Sequence, residues 1–138
     1  MKATARIGAV SAGVLLFVAG CSMGREEAKQ GVAEFRALVA QHAFNDVYAG
    51  AGPGLQQAVT EDKFVGFMTA LDRKLGAWQS AGEPAWNVTR GTNGHFVRLV
   101  YQSQFARGPA AEEFLWQVHN GRSILAGYHV NSPLLVSE

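Results

Sequence analysis

The sequence predicts an α+β fold, with N-terminal helices packed on one face of a curved antiparallel sheet. Two observations carry this. Apolar residues recur at three- and four-residue steps as far as Trp78, then at every second position after Pro84. Clusters of Gly, Asn and Pro separate the later segments at hairpin spacing, so the helices come first and a meander of strands follows. At 138 residues, with 48% apolar and 10% aromatic side chains, the chain suits one domain with a packed core.

The elements follow in order. From Arg25 to about Phe44, the residues Ala28, Val32, Phe35, Leu38 and Val39 fall on one side at helical spacing. Glu26, Glu27, Lys29, Glu34 and Arg36 occupy the wet side, with the early acids suited to the positive end of the helix dipole. Asn45-Asp46 starts a further helical turn, and Gly50-Ala51-Gly52-Pro53-Gly54 then breaks regular structure. No Lys-Ser/Thr and no G-x-G-x-x-G pattern follows those glycines, so the piece reads as a turn and not as a phosphate loop.

Thr60 is the expected N-cap of an amphipathic helix running to Trp78, with Phe64, Phe67, Met68, Leu71, Leu75 and Trp78 along its apolar face. Ser80 to Pro84 reads as a loop, Trp86 to Arg90 as a short strand and Gly91 to Gly94 as a turn. His95 to Ala106 alternates, with Val97, Leu99, Tyr101 and Phe105 on one face. Glu113 to His119 puts Phe114, Trp116 and Val118 on one face, and Asn120-Gly121 is a type I′ hairpin signal. Ile124, Ala126, Tyr128 and Val130 are expected to continue that alternation in the last strand.

The amino terminus follows another pattern. Lys2 and Arg6 precede an uncharged apolar and small-residue run from Ile7 to Ala19, which reads as a secretory signal too short to span a bilayer. It ends in Val18-Ala19-Gly20-Cys21, which resembles the lipobox of bacterial lipoproteins. The resemblance implies cleavage before Cys21, a thioether-linked diacylglycerol on its sulfur and, in Gram-negative bacteria, a third chain on its amine. The expected organisation is a signal peptide over 1–20, a lipidated tether over 21–24 and a single α+β domain over 25–138. Buried acyl methylenes contribute roughly 0.8 kcal/mol each, so two or three chains anchor firmly. Ser22 stands where inner-membrane retention uses Asp, which favours the periplasmic leaflet of the outer membrane by the same resemblance.

Loss of Lys2 and Arg6 from the 12 basic residues leaves 10 against 11 acidic ones. Composition therefore offers no basic patch for anionic lipid and argues against nucleic-acid binding. Cys21 is the one cysteine, so the mature domain is expected to fold without a disulfide.

The second half also resembles a group of small exported bacterial proteins related in fold to the nuclear transport factor 2-like and cystatin-like group. The matching segments are Phe96 to Ala106, Ala110 to Val118 and Ser123 to Tyr128, where one strand ends in Phe-Ala and the last in Gly-Tyr. The resemblance implies a cone-shaped domain with helices covering a bent sheet. It carries no functional residues across, because that group hosts enzymes, binding modules and assembly domains alike.

Chemistry-bearing motifs are sparse. His42, His95, His119 and His129 show no H-x-x-x-H or H-E-x-x-H spacing, although His119 and His129 flank a hairpin turn; no metal and no cofactor is expected. Asp46 is either a helix cap or a base in a cavity, and no serine sits in a G-x-S-x-G setting. Trp86, Tyr101, Trp116 and Tyr128, with Trp78, are the candidates to line an apolar ligand pocket between sheet and helices, although core packing explains most of their spacing. Three functions are expected in descending order. They are an accessory module for a protein partner, a carrier or sensor of a small apolar ligand, and an isomerase- or dehydratase-type enzyme.

Overall fold

The computed structural model describes residues 24–136; the signal segment, the lipobox and Cys21 lie outside the described residues. Helix α1 spans Arg25–Ala40 and buries Ala28, Val32 and Phe35, as the spacing requires. It ends sooner than Phe44. The Ala43 amide donates to the Leu38 carbonyl and the His42 amide to that of Val39, the paired bonds of a Schellman stop. That motif needs a left-handed residue, and His42 supplies it with φ 55°. Helix α2, Phe44–Ala49, leaves in a new direction that buries Phe44 and Val47. The glycine-rich piece contains an unanticipated short helix, α3 at Pro53–Ala58, whose proline occupies the first turn, where no intrahelical amide donor is needed.

Helix α4 covers Glu61–Leu75, capped by the Thr60 hydroxyl accepting from the Lys63 amide, and buries Phe64, Met68, Leu71 and Leu75. The expected continuation to Trp78 does not occur. Gly76 takes φ 73° and packs so closely on Ala106 that a Cβ there would stand 2.9 Å from the alanine methyl. The Leu75 and Ala77 carbonyls accept from the Arg107 and Ala106 amides, which pins the chain to the far end of the sheet. Trp78 therefore opens a strand, β1 at Trp78–Ala81, inside the stretch that composition marks as loop. Phe67, placed on the apolar face by spacing, is 44% exposed.

Strands β2 (Ala85–Gly91), β3 (Gly94–Phe105), β4 (Gly108–His119) and β5 (Arg122–Asn131) complete an antiparallel sheet. β1 and β2 share one edge of β3. β2 pairs with its first half and β1 with its second, and β4 then β5 follow on the other side. Asn120 and Gly121 both have positive φ, as a type I′ turn requires. Together the helices and the sheet make the α+β architecture that the change of period predicts.

One sheet face meets the helices. Val97, Leu99, Tyr101 and Phe105 of β3 and Phe114, Trp116 and Val118 of β4 are buried there. In β5 the alternation is broken. Trp116 pairs with Leu125 while Leu115 pairs with Gly127, so Ala126 is the extra residue of a bulge. Leu125, not Ile124 or Ala126, is therefore buried on the helix side, and Tyr128 regains that side beyond the bulge, opposite Phe114. Gly31 lets α1 lie close on these strands; a Cβ there would stand 2.6 Å from Ser123 Oγ and 2.9 Å from two ring carbons of Trp116.

Candidate functional site

Two buried positions in the β3–β4 alternation are polar. Ser103 lies between Tyr101 and Phe105, and Glu112 precedes Phe114; they are 4% and 1% exposed. A carboxylate so enclosed must be matched by donors, since burying an unpaired charge is prohibitively unfavourable. Three donors reach it. Arg36 Nη1 donates to Glu112 Oε1 at 2.9 Å and Ser103 Oγ to the same oxygen at 2.6 Å, while the Tyr128 hydroxyl donates to Oε2 at 2.6 Å. Trp78 Nε1 donates in turn to Ser103 Oγ at 3.4 Å.

Arg36 does not stay on the wet side of α1. Its guanidinium carbon lies 4.1 Å from the Trp78 ring centre, 5.4 Å from that of Tyr101 and 5.7 Å from that of Phe114. The aromatic faces stabilise the cation where Nη2 has no hydrogen-bond partner. Its long stem carries the charge inward from a position beside the apolar stripe. Burial, then the charge of Glu112 and the hydrogen bond to it, push the Tyr128 phenol well above its ordinary 10.0, against a smaller pull from Arg36. Tyr128 is thus held as a neutral donor. Burial likewise raises Tyr101.

Above this network lies a cavity of about 370 Å³. Phe35, Val39 and Ala40 of α1 form one wall, and Met68, Leu71 and Leu75 of α4 the other. Trp78 and Phe105 close the sheet end, with Arg36, Glu112 and Tyr128 beneath. At the rim His42 Nε2 stands 3.0 Å from Asp72 Oδ2, with side chains 62% and 35% exposed. The left-handed turn that ends α1 is what directs His42 toward α4.

Of the four aromatic candidates, only Tyr128 lines this cavity. Tyr101 lies in the core beneath Arg36. Trp116 borders a second, smaller space of about 110 Å³ that it shares with Gly31, Ser123 and Asp46, and its indole nitrogen is buried without a partner. Trp86 is 49% exposed on edge strand β2, 5.1 Å from the Arg25 guanidinium. Trp78 does line the cavity. Asp46 sits in the first turn of α2, where the N-cap is Ala43 and no side chain caps. His119 and His129 are not brought together, since they pair with Arg122 and Glu113 at opposite ends of β5. Among the described residues, no group of three or more His, Cys, Asp or Glu side chains is placed to hold a metal ion.

The chemistry available is set by a floor whose charges are balanced and whose one unpartnered polar group, among the described residues, is Arg36 Nη2. Three donors engage the two Glu112 oxygens, two on Oε1 and one on Oε2, so the carboxylate acts chiefly as an acceptor within this network. Arg36 is engaged by Glu112 and by ring faces. What the cavity presents to a guest is mainly hydrocarbon, aromatic surface and the His42–Asp72 rim. No protein-family model matches the chain, and no curated protein matches it either.

Proposed function

We propose that the protein binds a small, uncharged and largely apolar molecule in the cavity between α1, α4 and the sheet. The single observation that carries this is the cavity of about 370 Å³, walled by apolar side chains over an ion pair whose charges already balance and whose open donor is Arg36 Nη2. Ligand pockets commonly begin near 300 Å³, are mostly apolar and hold a few fixed polar groups. An ionised ligand would have to leave water without a free counter-charge in the floor, which favours a neutral guest. The 37%-exposed Trp78 and the His42–Asp72 pair give the entrance one aromatic and one hydrogen-bonding edge.

The lipobox-like Val18-Ala19-Gly20-Cys21 supports a membrane-anchored form of this binder, exported to the periplasm and acylated at Cys21. Helices followed by an antiparallel meander support the cone-shaped, nuclear transport factor 2-like or cystatin-like assignment of the domain. A Cys21→Ser chain is expected in the soluble fraction, and its persistence with the membranes would count against the anchor.

Binding itself is tested by extracting the protein, purified in detergent, with organic solvent and identifying what is released by mass spectrometry. An uncharged compound near one equivalent, retained through washing, is the expected result. Recovery of nothing but anionic species would contradict the reading. A second reading, acid–base catalysis at the rim, rests on the His42–Asp72 contact, where a carboxylate orients an imidazole beside the cavity. Turnover lost in His42→Gln while the same compound is still retained would favour it.

A further inference from the structure

We propose that the end of the domain opposite the cavity rests on the bilayer and receives anionic lipid headgroups through Arg25, Arg90 and Arg122. This rests on the reading of Cys21 as the acylated residue. Gly24 is buried at φ 82°, with His95 and Val118 so near that a Cβ would stand 2.9 Å from the imidazole. That contact fixes where the chain enters the domain. It lies beside the tips of the β2–β3 and β4–β5 hairpins, because His95 is one residue from the first turn and Val118 two from Asn120. Three residue steps separate Gly24 from Cys21 and span at most about 11 Å. An acyl chain on Cys21 therefore holds these hairpins at headgroup depth.

The surface suits that position. Arg90 and Arg122 are exposed beside the two hairpin turns and form no ion pair with a described residue. Arg25 opens α1 directly after Gly24, and its guanidinium lies 5.1 Å from the half-exposed ring of Trp86, which stands about 17 Å along β2 from the turn. Glu26, 3.7 Å from Arg25, and Glu27 share this end, so three arginines face two carboxylates. Composition gives the mature chain no basic excess; the fold nonetheless gathers these cations at one pole. The acyl chains supply the affinity, and the arginines set the orientation.

The cavity lies at the other pole. β3 runs about 35 Å from Gly94 at the hairpin end to Phe105 in the cavity wall. α1 runs about 22 Å from Arg25 to Ala40. A domain seated on its hairpins turns the cavity mouth toward the aqueous space, where a ligand is exchanged with solution or a soluble partner and not with the supporting bilayer.

Depth-dependent quenching tests this with the full acylated chain in vesicles. A fluorophore is placed on Asn93→Cys at a hairpin tip or on Arg107→Cys at the cavity pole, and quenching by headgroup-spin-labelled lipid is compared. In phosphatidylcholine containing phosphatidylglycerol, the Asn93 position is expected to be quenched several-fold more than the Arg107 position. Arg90→Glu with Arg122→Glu, or removal of phosphatidylglycerol, is expected to shrink that difference. Equal quenching at both positions, or a difference indifferent to lipid charge and to the double variant, would overturn the proposal. A chain that carries no acyl mass on Cys21 and floats free of vesicles would remove the anchor reading itself, which is a distinct outcome.

Discussion

Arg36 stacks 4.1 Å from the centre of the Trp78 ring while donating a 2.9 Å hydrogen bond to Glu112. One side chain thereby joins α1 to the broken edge of the sheet and neutralises the most deeply buried acid. Removing it leaves a carboxylate 1% exposed with its counter-charge gone. Arg36→Met is expected to lower stability by about 3–5 kcal/mol, the usual penalty for orphaning one member of a buried pair. Arg36→Met with Glu112→Leu should recover much of that loss, because both charges then vanish together. Urea unfolding of these two variants and of Glu112→Leu alone measures it; strictly additive losses would show that the two residues are not coupled.

Tyr128→Phe removes a 2.6 Å donor from the same carboxylate. Hydrogen bonds to charged groups contribute about 1.5–3 kcal/mol, so a loss of that order is expected at neutral pH. The pH dependence has a definite sign. The folded phenol titrates well above its ordinary 10.0, so its contribution is complete below about pH 10 and is lost as pH rises further, when the unfolded chain ionises first. The gap between wild type and Tyr128→Phe should therefore narrow above pH 10. Urea midpoints on both sides of that pH decide it, and a widening gap would contradict the burial of this phenol.

Gly31→Ala sets two effects against each other. Alanine is favoured over glycine within a helix by about 1 kcal/mol. The added methyl, however, meets Ser123 Oγ at 2.6 Å and the buried Trp116 ring at 2.9 Å. Overpacking of this kind costs about 1–3 kcal/mol, so a net loss of stability is expected, together with a changed Trp fluorescence spectrum. A thermal midpoint above wild type would mean that α1 has room to lift off the sheet.

His42 holds a left-handed conformation that costs a side chain about 1–2 kcal/mol relative to glycine. Substitution to Ala and to Gly both remove the exposed contact with Asp72, which at the protein surface is worth under about 1 kcal/mol. Only Gly also relieves the backbone. His42→Gly should therefore be more stable than His42→Ala by about 1 kcal/mol in chemical denaturation, and the reverse order would remove the strain argument.

Much of the architecture is legible in the sequence because two periods govern it. The Phe64–Met68–Leu71–Leu75 spacing and the Val97–Leu99–Tyr101 alternation mark their elements directly. Local geometry limits the rest. Trp78 continues the helical spacing of α4, yet the left-handed Gly76 and its contact with Ala106 turn the chain into a strand. The bulge at Ala126 shifts the register of β5, an insertion that alternation alone cannot reveal.

The site was written in the same pattern but in its exceptions. Ser103 and Glu112 stand at inward positions of otherwise apolar alternations, but alternation alone starts β4 at Glu113, and only the longer observed strand from Gly108 brings Glu112 into the pattern. That Arg36 answers them depends on a separation of 76 residues and on the path of α1 across the sheet. A helical position beside the apolar stripe does not distinguish a solvated arginine from one whose stem reaches inward. Aromatic spacing likewise marks Trp86, Tyr101 and Trp116 without separating edge, core and cavity wall.

The most direct test of the central claim is fluorescence titration with N-phenyl-naphthylamine, an uncharged apolar dye, against wild type and Ala40→Trp. Ala40 is exposed at the end of α1 and lines the cavity, so an indole there fills the mouth without entering the core. Saturable binding near one equivalent in wild type, weakened at least tenfold in a folded Ala40→Trp chain, is the predicted result. Binding of equal strength in both proteins, or none in wild type, would contradict the cavity as the ligand site.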